Sequence, residues 1–125
     1  MNSTAKSLIL KAEDNLNTAR QHLDDDKQHD IVGYNLAQAC EMYLKALCVL
    51  RNLEFPGDDE GHDLDALMQI LEEDNLSAIS SHADIVELTP YNSTTAKVRP
   101  DERLDMKEYW DHVQDLKNFI RETVN

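Results

Sequence analysis

The sequence predicts an all-α protein, an up-and-down four-helix bundle with one additional short helix. Three observations carry this prediction. Only three glycines and three prolines punctuate the 125 residues, and β-branched runs are few, a composition that favours helices over strands. Apolar residues recur at three- and four-residue spacing through most of the chain. The connections between the periodic stretches are short, so neighbouring helices are expected to lie antiparallel. A chain of this length fits one domain over residues 1–125, with a core of its own.

The first helix is predicted from Ser3 or Thr4 to about Leu23, with Ala5, Leu8, Ile9, Ala12, Leu16, Ala19 and Leu23 as its apolar face and Ser3 or Thr4 as its cap. Asp24, Asp25 and Asp26 follow. Three carboxylates suit the partly negative C-terminal end of a helix poorly, so the helix should stop there. The next stretch, Ile31 to Leu53, reads as a central helix of about six turns. Val32, Leu36, Ala39, Cys40, Tyr43, Leu44, Ala46, Leu47 and Leu50 cover more than half of its circumference, so it is expected to be hidden on several sides.

Glu54 to Gly61 reads as a connection, with Pro56-Gly57 as its turn signal and Asp58 to Glu60 as a solvated acidic run. Asp63 or a neighbour is expected to cap a shorter helix with Leu64, Leu67, Met68 and Leu71 on one side, interrupted at Asn75-Leu76. Leu76, Ile79, Ala83, Val86 and Leu88 suggest a fourth helical segment that ends by Thr89-Pro90, because a residue before proline avoids the helical region. Part of Asp84 to Leu88 is the one strand candidate. Tyr91 to Pro100 reads as a hydroxyl-rich loop, and the last helix is predicted over about Asp101 to Thr123. Met106, Tyr109, Val113, Leu116 and Ile120 give that helix the seam of a bundle. Tyr43, Tyr109 and Trp110 are expected in the core or at a subunit interface.

The formal net charge is −13, from 25 acidic and 12 basic residues. Such a field opposes nucleic-acid binding, which draws on clustered Lys and Arg to neutralise phosphates, and it disfavours anionic membranes. The one candidate basic patch is Lys97, Arg99, Arg103 and Lys107. Cys40 and Cys48, about 12 Å apart along one helix, cannot pair with each other. They read as small buried thiols of a reducing cytoplasm. The opening residues MNSTAKSLIL lack the pattern of a secretory signal, and no stretch approaches the roughly 20 apolar residues of a membrane span.

No phosphate-cradling glycine loop is present, and the five histidines have no zinc spacing, so no metal and no cofactor are expected. Glu108 and His112 are placed to share a metal only as a single i,i+4 pair. Both cysteines sit where nothing lowers a thiol pKa, which argues against a cysteine nucleophile. The central helix leaves one narrow stripe of Tyr34, Gln38, Glu41 and Lys45, stacked on one face by their spacing. By residue type alone that stripe is a solvent-facing strip with an i,i+4 ion pair, contributing about 0.2–0.5 kcal/mol. His62, at the Gly61-His62-Asp63-Leu64 helix start, reads by type as a capping or packing histidine.

Four pieces in order resemble the HEPN domain family of small helical bundles. The first is the opening helix with Ala12-Glu13-Asp14-Asn15-Leu16, and the second Gln38 to Leu47, similar to the family's Q-x-x-E-x-x-x-K-A-L helix. The third is His62-Asp63-Leu64, like its H-D-L helix start, and the fourth Tyr91 with Arg99-Pro100, where the family has a tyrosine and an R-Y-P-like turn. Two departures stand out. The turn reads Val98-Arg99-Pro100, without the aromatic, and no arginine is followed after four to six residues by histidine, the order used by the family's metal-independent ribonucleases. The resemblance implies a homodimer that binds a minimal nucleotidyltransferase, as in toxin–antitoxin-like pairs, or a nucleotide. Tyr34, Gln38, Glu41, Lys45, His62 and Arg99 would then line the groove, with Lys45 and Arg99 toward phosphate and Tyr34 as a stacking surface. Two alternatives stay open. One is a ribonuclease using Arg99, His62 and Glu41, and the other an interaction module in which the stripe only sets helix register or dimer pairing.

Overall fold

The computed structural model describes residues 2–57, 63–93 and 98–124. Among them the chain is all-α, with no strand. His62, Lys97 and the acidic run Asp58 to Glu60 lie outside the described residues.

Helix α1 spans Ser3–His22. Its cap is Asn2, one residue earlier than expected, whose side-chain oxygen accepts from the backbone N–H of Thr4 at 2.8 Å and Ala5 at 3.2 Å. Ala5, Ala12 and Ala19 are fully buried, and such small residues allow close approach of the next helix. The aspartate run ends α1 as expected. Asp25 takes the N–H of Lys27 at 3.0 Å and opens a short 3-10 turn, Asp26–Gln28.

Helix α2 spans His29–Leu50, starting two residues and ending three residues earlier than the periodicity predicts. Its end is set by Asn52, in the left-handed region at φ 58°. There the N–H of Leu53 reaches the carbonyl of Cys48 at 2.8 Å and that of Asn52 the carbonyl of Val49 at 3.1 Å, which satisfies two of the last carbonyls of the helix. The same device closes α3, Leu64–Glu73. Asn75 has φ 68°, and Leu76 N–H binds the carbonyl of Leu71 at 3.1 Å. Asp63 caps the start of α3, its carboxylate accepting from Asp65 at 3.0 Å. Leu53 and Leu76, the residue after each asparagine, pack on the core.

The fourth segment, Ser77–Tyr91, is 3-10 helix with a kink at His82 (φ −105°, ψ 17°), and it runs through Pro90 to Tyr91 where the sequence predicts a stop. Its buried residues are Ile79, Ile85, Leu88 and Tyr91, all separated by multiples of three, which puts them on one side of a helix with three residues per turn. Ala83, placed on the apolar face by an α-helical reading, is exposed, and Asp84 to Leu88 is helical rather than strand. After a short 3-10 turn, Pro100–Glu102, the chain is extended to Asp105. Helix α4 then runs over Met106–Val124, starting five residues later than expected. All five seam residues, Met106, Tyr109, Val113, Leu116 and Ile120, are buried, and Tyr43 is buried with them while Trp110 packs partly covered.

An up-and-down order requires α4 to start at the end of the molecule where α2 starts. The ion pair of Lys107 with Asp24 at 3.1 Å joins the start of α4 to the α1–α2 turn. Arg51, just past α2, holds Asp74, just past α3, at 2.7 Å, so the C-terminal ends of these two helices meet, and α2 and α3 are not the antiparallel neighbours that the short connections predict. Helix α2 packs against every other long element.

Candidate functional site

Two polar assemblies lie on α2. The first is the predicted stripe. Glu41 and Lys45 are not at a solvent-facing strip: they are 2% and 5% exposed, because the chain after Tyr91 and the connection after α2 cover them. Lys45 Nζ donates to Glu41 Oε2 at 3.0 Å. Asn92, itself buried, donates from Nδ2 to Glu41 Oε1 at 3.0 Å. Its Oδ1 accepts from Gln38 Nε2 at 2.6 Å. The Phe55 ring lies 5.7 Å from the Lys45 ammonium, within cation–π range. A pair with glutamate N-terminal to lysine is well ordered for a helix, but here it is withdrawn from water, where the cost of desolvation dominates.

The remaining predicted residues are placed differently. Tyr34 is half-buried on the same face, one turn before Gln38. Arg99 is well exposed and pairs with Asp101 at 3.2 Å. Asn92 is the member that sequence reasoning missed. It lies in the stretch read as a hydroxyl-rich loop, and its position next to Tyr91 was the only available signal.

The second assembly joins α2 to the chain before α4. Gly33 faces the Tyr91 ring with no room for a side chain between them. The Tyr91 hydroxyl accepts from the backbone N–H of Leu104 at 3.1 Å and lies 2.8 Å from His29 Nε2. Which of the hydroxyl and His29 Nε2 donates in this contact is set by the imidazole tautomer, since the oxygen can accept a second hydrogen bond or donate its own proton. Burial, then the nearby charge of Arg103, lowers the His29 pKa from its ordinary value, against the opposing pull of Asp30 and Asp26. The phenol of Tyr91 is itself raised, mainly by burial.

Tyr91→Phe should cost about 1–3 kcal/mol, because it leaves the Leu104 N–H and His29 Nε2 without a partner. Urea unfolding together with faster hydrogen exchange at Leu104 checks it. A pH dependence also follows. His29 and His82, the latter covered by Phe119 at 5.1 Å, both titrate below their ordinary value because burial disfavours the charged ring. The unfolded chain therefore binds protons first. The stability from their neutral forms is complete above about pH 6.5 and is lost as the pH falls through the lowered folded values. Acidification also relieves the repulsion of a −13 chain, an effect of opposite sign. The histidine contribution is thus read as a difference: a His29→Gln/His82→Gln variant should lose less stability than the parent between pH 7.5 and 5.5.

Cys40 and Cys48 are free and buried. Burial pushes the Cys40 thiol far up and that of Cys48 up to about 11, so neither supplies a thiolate near neutral pH. No helix among the described residues is long and apolar enough to cross a membrane.

The fold and these contacts define a small helical-bundle domain whose most buried helix carries an internal ionic network. The family model of the HEPN domain matches residues 5–123, and the chain belongs to the HEPN family. No curated protein and no solved structure matches it.

Proposed function

We propose that the domain is a non-catalytic, dimeric HEPN bundle that binds a nucleotidyltransferase partner, a nucleotide, or both, in the cytoplasm. The observation that supports this reading best is the buried network of Gln38, Asn92, Glu41 and Lys45. A buried ion pair is often no more stabilising than apolar residues of the same volume, so packing alone gives no reason for it. What the network does is hold the chain just after Tyr91 against α2, and Arg99 projects from the far side of that same connection. An exposed guanidinium suits bidentate contact with phosphate, and the open part of the Tyr34 ring suits stacking on a base. His62, from the connection before α3, is the remaining member of the proposed set. The ribonuclease alternative is weaker, because the arginine–histidine order is absent from the sequence and the net charge of −13 opposes the approach of RNA.

The test is a titration of the full chain with nucleoside phosphates, read from backbone amides around Tyr34 and Arg99. Saturable shifts that disappear in Arg99→Ala, an exposed and structurally mild substitution, are expected for a nucleotide. A stable complex on co-expression with a neighbouring nucleotidyltransferase is expected for the partner. Failure of both overturns the reading and favours the second one, that the stripe serves register or dimer pairing. That second reading draws on the way Gln38, Glu41 and Lys45 already bond to one another and to Asn92.

A further inference from the structure

We propose that the groove between α1 and α4 is a docking site for a carboxylate side chain, glutamate or aspartate, of a protein partner. Both helices pack on α2 and scarcely touch each other, which leaves a cavity of about 170 Å³ along their seam. Glu13, Asn17 and Arg20 line it from α1, and Trp110, Gln114 and Lys117 from α4. Glu13 to Arg20 and Trp110 to Lys117 are each two turns of helix, so the groove is about 10 Å long. The start of α4 lies beside the end of α1, so Arg20 is at the Trp110 end and Glu13 at the Lys117 end.

The charge of this wall is the reverse of the molecule's. Two cations, Arg20 and Lys117, and one carboxylate, Glu13, give the lining a balance of +1 in a chain of −13. Among the described residues, neither cation has an ion-pair or hydrogen-bond partner, and the same holds for the Trp110 indole N–H and the Asn17 and Gln114 side-chain amides. Glu13 offsets the charge at the Lys117 end, which leaves Arg20 uncompensated at the indole end. A second feature lies deeper on the same side. Tyr43 is 1% exposed and its hydroxyl has no hydrogen-bond partner, while the charges of Glu13 on α1 and Arg121 on α4 reach its phenol. A further unsatisfied donor thus stands between the two helices that form the groove.

Size and charge select the occupant. Sites for whole small molecules have about 300–1,000 Å³, so a cavity of about 170 Å³ suits one side chain carried by a larger partner. A carboxylate brings one negative charge to a balance of +1, whereas a phosphate monoester brings about −1.5 to −2 and meets the repulsion of Glu13. The planar guanidinium of Arg20 can take both carboxylate oxygens at once. The methylene stem then lies against the partly covered Trp110 ring, and the two amides serve backbone groups of the partner segment. The net charge acts against a polyanion from a distance, but its reach is about 8 Å at physiological ionic strength, so the groups inside the groove decide the binding of one carboxylate. The groove shares no residue with the α2 stripe, so the inference goes beyond the function proposed above and does not depend on it.

Trp110 is the only tryptophan of the chain, so its fluorescence reports on this groove alone. The experiment titrates a capped, alanine-based helical peptide with one central glutamate into the full chain at about 0.15 M salt. The same peptide with glutamine, and inorganic phosphate, are the comparisons. A saturable change with the glutamate peptide, and affinity at least about tenfold weaker for the glutamine peptide, are expected. Arg20→Gln, an exposed substitution, should weaken the glutamate peptide about tenfold with the helical spectrum unchanged, and Glu13→Gln should tighten it. Absence of a saturable change overturns the proposal, as do equal affinities for the two peptides or binding that persists undiminished in Arg20→Gln. Phosphate binding tighter than the glutamate peptide overturns the assignment of a carboxylate. None of these outcomes moves the nucleotide test, which reads Tyr34 and Arg99.

Discussion

Gly33→Ala is expected to destabilise the domain by about 1–3 kcal/mol, the usual cost of forcing an extra methyl group into a packed interior. A Cβ built at Gly33 falls 2.3 Å from Cδ1, 2.6 Å from Cγ and 2.9 Å from Cε1 of Tyr91. The ring has little room to move. It is 1% exposed, its hydroxyl is tied to Leu104 and His29, and the next residue, Asn92, is tied to Glu41. The sign of the effect is what makes the prediction sharp. In a helix interior alanine is normally better than glycine by about 1 kcal/mol, so without the ring the same change would stabilise. Tyr91→Ala should therefore reverse the effect of Gly33→Ala, although Tyr91→Ala itself removes a large buried side chain and lowers stability. Urea unfolding of the four proteins of that cycle gives the coupling directly. A Gly33→Ala protein as stable as its parent would mean that the ring is not held against α2.

The helices themselves were legible because each buries one stripe at helical spacing. Every apolar position read on α2 from Val32 to Leu47 is buried, as is the whole seam of α4. Ends and connections were less legible, for identifiable reasons. Periodicity carries α2 on to Leu53, but Asn52 and Asn75 in the left-handed conformation stop α2 and α3 with the same hydrogen-bond pattern. That signal was present as the repeated Asn-Leu pair and was read at α3 alone. The stretch Ser77–Tyr91 was read with 3.6 residues per turn, while its buried residues follow a period of three. Most of the candidate site was visible as types and spacing, but not its burial. Residues on one helix give no sign of what lies over them, and the cover comes from Phe55 and Asn92, in segments that have no periodicity. Gly33 likewise gives no sign in the sequence of its role, since only the fold brings Tyr91 against it.

The burial of Glu41 and Lys45 can be weighed by a single substitution, Glu41→Gln. It preserves shape and retains an oxygen to accept from Asn92, but leaves the Lys45 ammonium with no counter-charge at 5% exposure. Breaking a buried pair in this way costs about 3–5 kcal/mol, a large share of the roughly 5–15 kcal/mol that holds a domain folded. An exposed i,i+4 pair would give only about 0.2–0.5 kcal/mol. The two cases are thus separated about tenfold in magnitude. Lys45→Met should be costly for the mirror reason, since it removes the ammonium that faces the buried carboxylate at 3.0 Å. Glu41→Gln/Lys45→Met contains no buried charge, so it should be less destabilised than the sum of the single changes, by a coupling of about 0.5–3 kcal/mol. The loss in Glu41→Gln should also change little with added salt, because screening acts mainly on charges that face solvent. If Glu41→Gln costs less than about 1 kcal/mol and the loss fades in salt, water reaches the pair. The stripe would then be an open surface, and Lys45 would be free to meet phosphate directly.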